Sequence, residues 1–445
     1  MADIHLTREL LWAVSRGELP PSVITQVGLE HLMSLCRTCR KEITAFQKEQ
    51  RAAAGGDYSR AFQILPALIE EQMPRVEREQ RGAARDLEDL LSLSREERVQ
   101  RVERARNRFR SATLVRLLVG ESRKQVHESP EEALHLAALA RLVAHRNPRM
   151  PHCFDLIALA TAHMANASRA GGNLREAEDH YSHARYVITH HGVTDTEILA
   201  RVDHLEGSLR MDQRQFERAE DLLTRAAMLY RVSGDKVETA RVLITLGALY
   251  FFRGDTAPAI EATTAALKGL RDSYEPRLYL CARYNLARYL TEDRQYYEAS
   301  DMLTVDEDLY REFPEPWTQL RLRWLRGKIA AGLGQSDEAE RIFLEVRDGF
   351  IAQGIGYDAA MVSIEDLAML YLREGRVEDV KRLAEEIYPI FGTQDVHREA
   401  AAALMIFQEA ARQEQLTIKA VREYVKYLNE ARTDPSLRFK QEEPS

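Results

Sequence analysis

Four cysteines in 445 residues, Cys36, Cys39, Cys153 and Cys281, are too few for a disulfide framework. No run of about 18 apolar residues occurs, so no membrane-spanning helix is expected. The opening MADIHLTRELLWAVSRGE lacks the basic and apolar regions of a signal peptide, which predicts a cytoplasmic chain. Aromatic residues make up only 7%, with 22 glycines and 14 prolines, which points away from a strand-rich fold and towards a mostly helical one. Positive charge is not in excess either. A formal net charge of -8 argues against a general nucleic-acid binder, which needs a clustered basic surface, and no direct nucleic-acid contact is expected. H-E-x-x-H, G-x-S-x-G, the P-loop and G-x-G-x-x-G are all missing, and no set of nucleophile, base and orienting group stands out, so an enzyme is not expected.

What the chain does have is internal repetition. The segments LEGSL, TLGALY, NLARYL, WLRGKI and DLAMLY align a small residue at Gly207, Gly247, Ala287, Gly327 and Ala368, a period of about 40. A second small or slim residue follows twelve positions later, at Ala219, Ala259, Ala299, Ala339 and Val380. Ala165 and Ala177 extend the series one unit back, and EEALHLAALA around Ala133 looks like the second helix of a degenerate unit. Between the two members of each pair, a helical apolar pattern is broken by a short polar turn such as AGGN at 170–173, FRGD at 252–255 or GLGQ at 332–335. The arrangement predicts antiparallel helical hairpins that pack closely where their facing residues are small.

The twelve-residue offset, with an aromatic residue or Leu further along the second helix, resembles the tetratricopeptide (TPR) repeat over residues 128–415. The resemblance implies an all-α, right-handed solenoid of helical hairpins. The family period is about 34, so helices longer by about a turn are expected here. Such a solenoid leaves a groove lined by the first helix of each hairpin, and binding is its usual work. By the same resemblance, groove positions lie six and three residues before the small residue and one after it. They are Arg201, His204 and Ser208; Arg241, Ile244 and Ala248; Cys281, Tyr284 and Arg288; and Arg321, Trp324 and Lys328, with Asn166 from the unit before. Arginine recurs at one register in Arg201, Arg241 and Arg321, with Tyr284 and Trp324 between. Guanidinium forks suit carboxylates and exposed aromatics suit anchoring side chains, so one reading is a groove for an acidic peptide or protein segment. The other is that these arginines pair with glutamates of neighbouring helices.

The N-terminus carries a different signal. HLTRELLWAVSRGELP, SVITQVGLEHLMSLC and CRTCRKEITAFQKEQR read as three helices. On that layout His5, His31, Cys36 and Cys39 meet as a tetrahedral set of the kind zinc prefers. Half-buried core thiols beside two unrelated histidines are the bland alternative. The pattern H-x25-H-x4-C-x2-C, with GEL after the first helix and CR after the cysteines, resembles the zinc-binding anti-sigma domain of bacteria over residues 4–48. That likeness implies a structural Zn2+ held by these four residues, in a module that grips a sigma factor. This chain has four residues between His31 and Cys36 where the family has three.

The expected organisation is therefore a zinc-binding three-helix module at 1–49, a helical linker or cap at 50–127, the solenoid at 128–415, and a capping helix with a disordered tail at 416–445. REERVQRVERARNRFR at 95–110 follows a capping-box signal, SREE, and is expected to form an amphipathic helix with Val99, Val102, Ala105 and Phe109 on its apolar stripe. His180, His183, His190 and His191 read as surface histidines, and Cys153 and Cys281 as packing residues. The function expected is a non-enzymatic regulatory adaptor that binds a protein or peptide. The alternative is a general protein-interaction scaffold with a purely structural zinc module.

Overall fold

The computed structural model describes residues 77–150, 152–271, 275–392, 405, 407–412 and 416–431, and every regular element among them is helical. A helix at 77–91 (α1) is followed by α2 (Arg95–Arg104), α3 (Ala112–Gln125), α4 (Pro130–His145), α5 (Cys153–Ala170), α6 (Leu174–His191), α7 (Thr196–Asp212), α8 (Phe216–Val232) and α9 (Lys236–Arg253). Then come α10 (Thr256–Leu270), α11 (Pro276–Glu292), α12 (Tyr296–Val305), α13 (Glu307–Arg311), α14 (Pro316–Gly332) and α15 (Ser336–Ala352). A last inner helix runs as α16 (Gly356–Met361), a π-helical stretch (Val362–Ala368) and α17 (Met369–Arg373), before α18 (Val377–Gly392) and α19 (Ile418–Ala431). No described helix is long and apolar enough to cross a membrane. The chain divides into two compact units, the first reaching Leu249 and the second starting at Tyr250.

The hairpins form for the reason the sequence gives. Gly207 and Ala219 lie where α7 and α8 touch, and a Cβ on Gly207 would stand 2.8 Å from Leu223 Cγ. Gly327 repeats this between α14 and α15, where a Cβ would meet the Phe343 ring at 2.7 Å. Four residues after the small position of the second helix, Tyr181, Leu223, Leu303 and Phe343 are buried, each contributing roughly 1.5–3 kcal/mol by leaving water. Several of the paired helices, including α5 to α9, are 17 or 18 residues long, which accounts for a period of 40 rather than 34.

Within each hairpin the turn passes through one left-handed residue: Gly172, Arg214, Gly254, Arg294, Gly334 and Gly375 all have positive φ. Glycine adopts this conformation freely, whereas the two arginines bear the steric cost of a Cβ there.

Ser94 accepts from the Glu97 N–H while Glu97 accepts from the Ser94 N–H, so the expected capping box is present. The helix after it is shorter than the apolar stripe suggested. It ends at Arg104, and Phe109 is buried from a separate turn at φ 59°. Val102 and Phe109 join one core with Leu90, Leu114, Leu136 and Leu156, so α1–α3 pack against the first hairpins. In the second unit α19 closes the core through Val421, Tyr424 and Leu428, packed with Phe407, Val362 and Leu367. Cys153 is buried as expected and Cys281 is exposed, which corrects its reading as a packing residue. The module expected at 1–49, with His5, His31, Cys36 and Cys39, lies outside the described residues.

Candidate functional site

In the first unit, side chains from successive inner helices converge on a single carboxylate. Glu238 sits in the first turn of α9, its N–H donating to Asp235 Oδ1 at 2.9 Å, where a negative charge also favours the helix dipole. Arg123 of α3 donates to Glu238 Oε1 from both Nη1 and Nη2, each at 3.1 Å. Arg201 of α7 donates to Oε2 from Nη1 at 2.9 Å. Arg241 Nε approaches the same oxygen at 3.3 Å without hydrogen-bond alignment. Two buried histidines complete the cluster: His163 of α5, and His204 of α7, whose Nε2 lies 2.9 Å from Thr245 Oγ1.

The electrostatics follow from this crowding. Burial would raise the Glu238 carboxyl, but Arg201, Arg123 and Arg241 outweigh it and hold it at about 2. Burial, reinforced by Arg201, pulls His163 and His204 down to about 3, so both are neutral at ordinary pH. Burial and the neighbouring Arg201 lower Arg123, while Glu238 works the other way. Three guanidiniums thus share one contacting carboxylate, with Glu197 also acting on Arg201. Other buried acids of this unit also draw several guanidiniums: Asp203 pairs with Arg185 and Arg225, and Glu206 with Arg185, Arg210 and Arg218.

The second unit inverts the ratio. Lys328 Nζ of α14 lies 2.8 Å from Glu365 Oε1 and 3.5 Å from Asp366 Oδ1, and 5.2 Å above the Trp324 ring. Trp324 Nε1 donates to Asp366 Oδ2 at 2.5 Å. Both acids belong to the π-helical stretch, an irregularity that often accompanies functional sites. Burial pushes the Asp366 carboxyl up to about 7 against the pull of Lys328. Beside this group opens a cavity of about 380 Å³, lined among others by Glu292, Tyr296, Lys328 and Asp366, with Arg373, Arg422 and Lys426 also on its walls.

The groove positions expected from the sequence are therefore largely occupied by internal partners. Arg201 and Arg241 meet at Glu238, with His204 beside them, whereas Asn166 accepts from Arg169 Nε at 3.2 Å. Ser208 Oγ donates to the His204 carbonyl at 3.2 Å and Ile244 is buried. Arg321 pairs with Asp358 at 3.4 Å and stacks on Trp317, Arg288 stacks on Phe251, and Tyr284 OH reaches the Arg321 carbonyl at 3.5 Å. Arg123, His163 and Glu238 were not among the sequence candidates. Glu238, Asp358 and Glu365 each lie 37 residues after Arg201, Arg321 and Lys328, so a basic residue followed by an acid three short of one repeat was the signal that could have found them. Among the described residues no group of three or more His, Cys, Asp or Glu is placed to hold a metal ion.

The tetratricopeptide repeat family model matches residues 198–272. Among solved structures, the chain is similar to a Rap protein complexed with competence and sporulation factor, with a TM-score of 0.55 and 14% identity over 72% of this chain and 87% of that one. It is likewise similar to the apo form of RapI, with a TM-score of 0.52 and 12% identity over 71% and 86% of the two chains. No curated protein matches in sequence. At such identities the likeness shows the fold: an all-α solenoid of TPR type.

Proposed function

We propose that this TPR-type solenoid is a non-catalytic adaptor that receives a carboxylate-bearing segment of a protein or peptide on the inner face of its first unit. The observation that carries the proposal is the ratio of three guanidiniums to one contacting carboxylate. A guanidinium cannot shed its charge by losing a proton, so surplus positive charge held on a binding face is relieved by an added anion. The neighbour complexed with a factor supports a solenoid of this fold that binds another molecule. The test is binding of acetylated, amidated hexaglutamate by the full chain at low salt, against hexaglutamine. At least tenfold preference for the acid is expected, and Arg241→Glu abolishes it. Equal binding of the two peptides overturns the acidic-ligand reading.

The N-terminal expectation belongs to the same proposal: His5, His31, Cys36 and Cys39 hold a structural zinc, and the module so formed grips a sigma factor. Metal analysis of the purified chain and of Cys39→Ser addresses it directly, since a variant retaining stoichiometric zinc would remove this ligand assignment. Co-purification with partners other than sigma factors, at full zinc content, favours the scaffold reading.

A further inference from the structure

Glu238 stands where the carboxylate of a ligand would stand. We infer that it is the chain's own occupant of the arginine seat, and that an acidic segment binds by taking its place between Arg123, Arg201 and Arg241. The inference rests on the proposed inner-face function and specifies how that site is gated.

Three observations support it. The first is reach. Arg123 lies in α3 and Glu238 in α9, 115 residues apart, and their hydrogen bonds tie these helices together beside the buried His163 of α5 and Arg201 and His204 of α7. A side-chain bridge across a binding face must open or move aside for a segment to lie along it. The second is donor and acceptor supply. Three guanidiniums carry roughly fifteen N–H donors, and one carboxylate offers about four lone-pair positions. Glu238 accepts three hydrogen bonds from them and lies 3.3 Å from Arg241 Nε without bonding it. Arg241 Nε is buried without a hydrogen bond among the described residues. A second carboxylate therefore finds the Arg241 Nε–H still unsatisfied beside the seat, while Glu238 holds Arg123 and Arg201.

The third observation is the setting of Glu238 itself. It occupies the opening turn of its helix, where the main chain is anchored by Asp235 and only the side chain needs to turn away. A rotated Glu238 keeps the favourable helix end and loses only the guanidiniums, which pass to the incoming carboxylate. Free and bound states thus contain the same types of ion pair, with the partner exchanged. Such an exchange sets a threshold: a single weak carboxylate does not displace an intramolecular one held at high effective concentration, whereas several in a row do.

The experiment uses the full chain and fluorescently labelled, acetylated and amidated hexaglutamate. Glu238→Gln keeps the shape of the side chain and removes its charge. Binding at least tenfold tighter than to the wild type is expected, and the gain disappears in the Arg123→Ala/Glu238→Gln double variant. Hexaglutamine with a free C-terminal carboxylate distinguishes recognition of a chain terminus from recognition of side chains. If Glu238→Gln does not fold, Glu238→Asp keeps the charge but falls one methylene short of Arg123, and about a threefold gain is expected. Binding to the wild type with no gain in either variant overturns the exchange and leaves the inner-face reading standing. No binding by any of the proteins overturns both.

Discussion

The two units place charge on their inner helices in opposite proportions. In the first, three guanidiniums surround one carboxylate; in the second, one ammonium lies against two carboxylates. The difference is more than one of sign, because the two excesses have different ways of being relieved. A buried carboxyl can take up a proton, and Asp366, raised to about 7, is already close to doing so. Arginine has no such exit below about pH 12. The second unit can therefore neutralise its surplus from solvent, while the first depends on an anion supplied by its own chain or by another molecule.

Removing the central partner of each cluster should break the symmetry most visibly. Glu238→Ala leaves buried guanidiniums without their carboxylate and is expected to cost on the order of 3–5 kcal/mol in chemical denaturation. Lys328→Met leaves two carboxylates, one of which protonates, and about half that loss is expected. Equal losses would mean that protonation offers the second unit no relief.

The pH dependences should run in opposite directions. Glu238 falls from an ordinary 4.5 to about 2, so its contribution, about 3 kcal/mol, is full above 4.5 and is lost as the pH drops towards 2. His163 and His204 fall from 6.5 to about 3, so the unfolded chain gains protons first and stability declines with acid from about 6.5 downwards. Asp366 rises from 3.8 to about 7, so its contribution is full below 3.8 and is lost as the pH climbs to about 7. In thermal melts, Asp366→Asn should gain on the wild type between pH 4 and 7, whereas Glu238→Gln should lose ground between pH 2 and 4.5. Parallel slopes for the two variants would erase the distinction.

The smallest effect concerns the backbone that the units share. Arg214→Gly and Arg294→Gly place glycine in a left-handed turn, one in each unit, and each should stabilise by about 1 kcal/mol. A loss at either site would show that the arginine side chain matters more than its φ.

The hairpins were legible because packing leaves a periodic trace: Gly207 with Ala219 and Gly327 with Ala339 announce close helix contact at a fixed offset. The shared register of Arg201, Arg241 and Arg321, and the separate one of Lys328, are read from the same repetition. Their partners were less legible, since Glu238, Asp358 and Glu365 obey a spacing that mixes two helices and is visible only once the stacking is known. Arg123 could not be read at all. It lies outside the regular repeats, and its bond to Glu238 depends on how α3, α5, α7 and α9 stand beside one another. The π-helical stretch was equally hidden, because VSIEDLA is compatible with an ordinary helix.

The way the ends are closed governs how the protein can be cut. Residues from α1 to α3 share one core with the first hairpins, and α19 seals the last through Val421, Tyr424 and Leu428. A fragment beginning at 128, or one stopping before 416, would uncover a broad apolar face, the kind of surface on which copies of a soluble protein adhere to each other. Dimers or larger assemblies formed by such fragments would report where the knife fell, and their partners would be chosen by the wound.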